Sequence, residues 1–317
     1  MDIAFLGTGD FAAPALQALV GAGHRIRVVI SQPDRPAGRG RQVHATPVHA
    51  MADQLQLRHL QTADVNTLDH DDVFTGAELG VVAAFGQKIG GNLLAKLPHG
   101  CINIHGSLLP KYRGAAPYQW AVINGDTTTG VTIFQLNERW DAGPIWSQSE
   151  IPIGDTETAD ELHDRLARTG AELIVETLPS ISAGTATPLR QDKSQASRAP
   201  KLSRADGVVD WTQPATRIAR RINGLWSWPT ATCLFVSRTS KRERLQLARA
   251  QVAEQEHMPT PDYPPGAVRA DGTVQGGMGT VRLLEVKPAG KKLMPFTAFA
   301  HGRQVAPPDR LLPLESL

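Results

Sequence analysis

The sequence predicts an α/β protein, with a Rossmann-like open sheet in the N-terminal domain and a smaller C-terminal β-barrel domain of the OB kind. Three observations lead there. The chain opens as strand, helix, strand, the βαβ order of a parallel sheet. Its last third reads instead as short strands parted by turns, which suits a small, partly open barrel. Between the two, residues 182–207 turn polar and carry Pro and Gly. The expected division is a first domain at 1–188, a linker at 189–206 and a second domain at 207–317.

Length and composition fit that scheme. At 317 residues, with 41% apolar and 20% charged content, the chain is long enough for one large core and a smaller second one. Met1 runs straight into the apolar IAFLG with no basic stretch before it, so the expectation is a cytoplasmic protein without a membrane partner. Cys101 and Cys233 each sit beside apolar residues and read as reduced, packed thiols. The His residues show no metal-ligand spacing, and no metal is expected. Net charge is only +2, yet residues 207–317 hold 15 Lys and Arg against 9 Asp and Glu. The short clusters Arg217, Arg220, Arg221, then Lys241, Arg242, Arg244, then Lys291, Lys292 are the footprint of a surface that meets phosphates, or of a merely solvated face.

Taken in order, Ile3 to Leu6 reads as a strand, Asp10 to Gly21 as a helix and Ile26 to Ile30 as a second strand. Gly7, Gly9 and Ala12 fit G-x-G-x-x-A, with Asp34 further on, which raises a dinucleotide site. However, the second strand ends in Ser31 and Gln32, and Asp34 heads a basic, Gly-rich insertion, RPAGRGRQVHATP, that such a site does not need. Glycines placed for packing explain the turn better. Leu79 to Phe85 reads as a buried strand, Gly86 to Leu97 as a turn and helix, Ala115 to Ile123 as a helix and Val131 to Leu136 as a strand. Thr158 and Glu161 fit a capping box before a helix whose Leu162, Leu166, Leu173 and Ile174 form a core stripe. Beyond a helix at Pro214 to Ile222, strands are expected at Ala231 to Val236, Leu245 to Val252, Gly266 to Val268 and Thr280 to Val286. Trp226, Trp228 and Phe235 read as core residues rather than as platforms for stacked bases.

The stretch that carries chemistry is Cys101 to Pro117, CINIHGSLLPKYRGAAP. In an extended strand Ile102 and Ile104 face a core while Asn103 and His105 share the opposite face, about 7 Å apart. A shaped loop follows from Ser107 to Gly114, and the ends of strands are where open α/β sheets keep their sites. Taken alone, either polar residue is more often structural than catalytic.

NIHGSLLPKYRGAAP, with Asp141 after the next strand, resembles the signature of the folate-dependent formyltransferases. MDIAFLGTGDFAAPALQAL, QPDRPAGRGR, APKLSRADGVVDW, RINGLWSWP and LEVKPAGKKLMPFTAFAHG fall in the order of that family too, so the resemblance spans nearly the whole chain. It implies transfer of the formyl group of 10-formyltetrahydrofolate to the α-amino group of methionyl initiator tRNA; the chain is expected to be a monomer. It also implies that Asn103, His105 and Asp141 are catalytic and that Ser107, Leu108, Leu109 and Pro110 shape the folate site. Arg35, Arg39 and Arg41 on the insertion, with Lys201 and Arg204, are then the expected tRNA contacts. Where the family has Asp-Thr-Gly-Asp, this chain has Asp141-Ala-Gly-Pro144, which touches the lining of the pteridine pocket.

An ester lowers the α-amine pKa below its usual ~8, so the nucleophile needs little activation. The main requirement is donors for a developing oxyanion. Asn103 is a donor that never titrates, and His105 can donate or move a proton, with Asp141 expected to hold it in one tautomer and raise its pKa. A formyltransferase acting on a sugar nucleotide or another small amine shares that trio but has no use for the basic insertion. A nicotinamide-dependent dehydrogenase leaves NIHGSLLPKYRG unexplained, and an RNA-binding protein without catalysis leaves the trio idle.

Overall fold

The computed structural model describes residues 1–37 and 42–314, in two compact units. The first comprises Met1–Pro117, Thr129–Ile151 and His163–Ala199; the second comprises Tyr118–Thr128, Pro152–Leu162 and Pro200–Leu317.

Unit one is built on a seven-stranded sheet. From one edge the strands run Ile145–Pro152, Thr128–Gln135, Cys101–His105, Leu79–Ala83, Asp2–Gly7, Arg25–Ser31 and His59–Gln61. The five from Cys101–His105 onward are mutually parallel, while Thr128–Gln135 pairs antiparallel with Cys101–His105. Residues buried on both faces make the central strands near-continuous apolar runs, and all of Leu79–Ala83 is buried. Cys101–His105 therefore lies inside the sheet, with its carboxyl end set by neighbours on both sides.

The glycine turn after the first strand serves packing. A Cβ on Gly7 would lie 2.8 Å from the Ala12 Cβ and 3.0 Å from the Ala83 carbonyl. Asp34, the acidic residue a dinucleotide site would use for a ribose, is occupied at the base of the insertion. Its carboxylate accepts from the Thr46 amide at 2.9 Å and pairs with His49 at 2.9 Å. Sequence periodicity missed the edge strand Ile145–Pro152, whose Ser147, Gln148 and Ser149 dilute the strand signal, and the three-residue strand His59–Gln61.

In unit two a six-stranded antiparallel sheet runs Val274–Gln275, Thr280–Pro288, Arg242–Glu254, Ala231–Val236 and Arg310–Pro313, with Met294–Pro295 added alongside Thr280–Pro288. Bridges from Ala267 to Arg310 and from Val268 to Val274 link its two edges, so the sheet is a nearly closed barrel. The stretch read as a strand at Gly266 to Val268 is this bridging segment. Ala250 pairs with Leu283 on one side, but the pairing with Ala231–Val236 stops at Leu247 and leaves the other side of Ala250 without a strand partner. Asn223, 3% exposed on the helix Ala215–Leu225, fills that gap by donating to the Ala250 carbonyl at 3.0 Å and accepting from its amide at 2.8 Å. Phe235 is buried against Phe299, as expected of a core residue, but Trp228 is 52% exposed. Among the described residues no helix is long and apolar enough to cross a membrane.

The capping box forms as read: the Thr158 amide donates to Glu161 at 2.9 Å and the Glu161 amide to the Thr158 hydroxyl at 3.4 Å. Arg249 then clasps Glu161 through two nitrogens, at 2.6 and 3.0 Å, and Glu285 through a third at 2.7 Å. The Arg249 hydrogen bond holds the Glu161 carboxyl down at about 2. A carboxyl depressed in the folded state contributes stability above its unfolded pKa, about 4.3, and loses it as pH falls through that range toward 2. Urea unfolding of Glu161→Gln should show a protein less stable than the parent at pH 7 and indistinguishable from it near pH 2. A deficit that stayed constant with pH would assign the effect to packing instead.

Candidate active site

Strand Cys101–His105 carries Asn103 at its middle and His105 at its carboxyl end, while Ile102 and Ile104 bury in the core at 0% and 3% exposure. Asn103 is half-buried, and its side-chain amide has no hydrogen-bond partner among the described residues. His105 is 6% exposed and stands edge-on to Phe134, with ring centroids 6.2 Å apart. Its Nε2 lies 3.0 Å from the Tyr112 carbonyl. A carbonyl oxygen only accepts, so Nε2 carries the proton and, in the neutral ring, the lone pair belongs to Nδ1.

Asp141 was expected to orient His105, and the structure arranges this differently. Among the described residues no hydrogen bond joins the two side chains. The Asp141 carboxylate, 8% exposed, accepts the backbone amide of Gly114 at 2.8 Å. His105 and Asp141 thus hold opposite ends of the tripeptide Tyr112–Arg113–Gly114. The difference has a local cause. Asp141 has a left-handed backbone, φ 49°, and a short carboxylate that is satisfied by the amide nearest it.

The loop between is held on every side. The Thr132 hydroxyl donates to the Ser107 carbonyl at 2.6 Å and accepts from the Leu109 amide at 3.0 Å. Gln148 donates to the Leu109 carbonyl at 2.9 Å, and the buried Ser107 hydroxyl to the Lys111 carbonyl at 2.7 Å. Further on, Arg113–Gly114 pairs in parallel with Arg198–Ala199, and the Tyr112 amide donates to the Ser197 hydroxyl at 2.9 Å. Ser107 and Leu109 are buried, whereas Leu108 and Pro110 keep part of their surface. Thr132, Gln148, Gln191 and Ser197 were not singled out by sequence, since isolated polar residues in a strand or a polar segment carry no pattern.

Burial pushes the Cys101 thiol up to about 12, so it offers no thiolate to the site. Among the described residues no group of three or more His, Cys, Asp or Glu could hold a metal ion. Arg35 is exposed and donates to Gln32 at 2.8 Å, while Arg39 and Arg41 lie outside the described residues. Lys201 and Arg204 are exposed in unit two.

This chain belongs to the formyl transferase family, whose model matches residues 1–178, and a model of the family's C-terminal domain matches residues 201–304. Among named relatives, the methionyl-tRNA formyltransferase of Solibacter usitatus is 40% identical over 98% of this chain and 98% of its own. That of Methylococcus capsulatus is 39% identical over 96% and 98%. Solved structures share the fold at lower identity. An N-formyltransferase from Helicobacter canadensis, in complex with folinic acid and dTDP-3-aminofucose, has a TM-score of 0.63 at 14% identity, covering 89% of this chain and 98% of that one. HypX from Aquifex aeolicus, in complex with tetrahydrofolic acid, has a TM-score of 0.62 at 18% identity, covering 96% of this chain and 48% of that one.

Gly114 has φ 131°, and a Cβ there would run into the Ala199 carbonyl. Gly114→Ala should cost roughly 1–3 kcal/mol in urea unfolding. Gly21→Ala, in a helix with nothing within 4 Å of the new methyl, should be neutral or stabilising. Equal effects at the two positions would contradict the close approach of the two short strands.

Proposed function

We propose that this chain transfers the formyl group of 10-formyltetrahydrofolate to the α-amino group of methionyl initiator tRNA, as a cytoplasmic monomer. The observation that carries the reading is about 40% identity to a methionyl-tRNA formyltransferase across 98% of both chains, second domain included. The sugar N-formyltransferase likeness, at 14% identity, speaks for the fold alone.

Bound folate supplies an electrophilic formyl carbon. The chain's own residues then have three tasks. Asn103, whose amide has no partner among the described residues, donates to the formyl oxygen as negative charge builds there. His105 accepts the proton of the attacking amine at Nδ1 and returns it to the departing folate nitrogen. One C–N bond forms, one breaks, and no net proton is released. Asp141 holds the backbone amide of Gly114, and through it the segment whose Tyr112 carbonyl orients the imidazole. Ser107 to Pro110 shape the folate site. Arg35, Arg39, Arg41, Lys201, Arg204 and the basic clusters of unit two meet phosphates of the tRNA. The domain reading remains a first, catalytic domain at 1–188 and a tRNA-binding domain at 207–317, joined by 189–206.

The direct test is formyl incorporation into methionyl initiator tRNA, run beside methionyl elongator tRNA, free methionine and an amino-sugar nucleotide. Selective formylation of the initiator supports the reading, and activity on the sugar nucleotide alone overturns it. In the same assay Asn103→Ala and His105→Ala should each lower kcat by about 10²–10⁴ with folate binding kept. Unchanged turnover in either removes that residue from the mechanism. Because binding releases counterions from the tRNA, raising salt should increase KM for the tRNA steeply and leave KM for the folate nearly flat.

A further inference from the structure

The polar segment that enters the site at residues 189–199 brings one side chain whose hydrogen bonds are used without remainder. Gln191 donates from Nε2 to the carbonyls of Asp141, at 2.9 Å, and Gly143, at 2.7 Å. Its Oε1 accepts from Nε and an η nitrogen of Arg113, at 3.1 and 2.6 Å. A primary amide has two donor hydrogens and two acceptor lone pairs, and all four are engaged. The orientation of the amide is fixed as well. Flipping it would set its oxygen against two carbonyls and its NH₂ against a guanidinium.

These contacts join two pieces of chain that meet only at the site. On one side is the Asp141–Gly143 turn, with its left-handed Asp141. On the other is Arg113, between the Tyr112 carbonyl that receives His105 and the Gly114 amide that receives Asp141. Tyr112 is itself left-handed, at φ 61°, so neither piece rests in an ordinary backbone well. Among the described residues Arg113 has no carboxylate partner and leans on the Gln191 amide, and the Asp141 and Gly143 carbonyls accept from Gln191.

We propose that Gln191 is a positioning residue for formyl transfer: it fastens the Asp141 turn to the Tyr112–Gly114 segment and so sets the distance over which Asp141 controls the His105 ring. The inference rests on the assignment of His105 and Asp141 given above. Gln191 does not touch the reacting atoms. Its loss lowers kcat by letting the imidazole and its supporting backbone drift, and leaves folate affinity nearly unchanged.

Gln191→Glu separates the two halves of its role. A carboxylate keeps and strengthens the grip on Arg113 but puts a second oxygen, with lone pairs in place of the Nε2 hydrogens, against the carbonyls of Asp141 and Gly143. We expect kcat for formyl transfer to fall by about 10- to 100-fold, the size of effect lost when a supporting contact is removed, with folate KM within about twofold. Gln191→Met, of similar length and without either function, should fall as far, and thermal unfolding reports whether each variant is folded. A wild-type kcat in Gln191→Glu overturns the proposal, because Arg113 alone would then be the purpose of the contact.

Coupling supplies the second arm. In an Asp141→Ala background the Gln191→Glu change should cost less than about twofold further, since the group it positions is gone. An equal loss in both backgrounds shows a role independent of Asp141 and also overturns the proposal. If Asp141→Ala itself leaves kcat intact, the site assignment fails rather than this inference, so the two failures are distinguishable.

Discussion

One hydrogen bond organises the candidate site: His105 Nε2 to the carbonyl of Tyr112, 3.0 Å long and buried. It decides which ring nitrogen carries the proton, because a carbonyl can only accept. From that follow the chemistry available at Nδ1, the need for a loop that brings a carbonyl back over the strand it has just left, and the contacts that hold the loop there. Thr132, Gln148, Ser197 and Gln191 each bond to that loop's backbone or side chains. Removing any one leaves a buried or half-buried polar group unsatisfied, which is costlier than the bond's net worth.

The role of Asp141 changes accordingly. An aspartate near a histidine suggests a direct carboxylate–imidazole pair, with the carboxylate fixing the tautomer. Here the backbone carbonyl of Tyr112 fixes it, and the carboxylate holds the amide two residues further along. The arrangement keeps a fixed negative charge out of direct contact with the ring, so the imidazole is oriented without being bound to a carboxylate. Two non-glycine residues with left-handed backbones, Tyr112 and Asp141, sit at the two ends of this connection. Such conformations persist only where surrounding contacts over-determine them, and the Gln191 and Ser197 bonds supply that constraint.

Much of this was legible in the sequence. The period-two pattern of Cys101–His105 placed Ile102 and Ile104 in the core and set Asn103 and His105 together, because alternate residues of a strand point to opposite faces of the sheet. The Thr158–Glu161 capping box and the barrel strands at Ala231–Val236 and Thr280–Pro288 followed from local chemistry. What was not legible depends on contacts between distant residues. Gln191 looks like any solvated glutamine until the fold brings it to Arg113 and Asp141. The edge strand Ile145–Pro152 exposes alternate polar residues, and its identity comes from the neighbour it pairs with. The Asp141 partner was misjudged because a left-handed backbone cannot be read from the Asp-Ala-Gly-Pro composition of the turn.

The most direct measurement is the tautomer of His105, read from two-bond nitrogen–proton correlations in a protein labelled with ¹⁵N-histidine, assigned by comparison with a His105→Gln variant. The geometry requires a protonated Nε2 and an Nδ1 with the shift of a lone-pair nitrogen once the ring is neutral. A neutral His105 carrying its proton on Nδ1 would contradict the account, because the Tyr112 carbonyl could then not be its partner and the loop would not orient the ring.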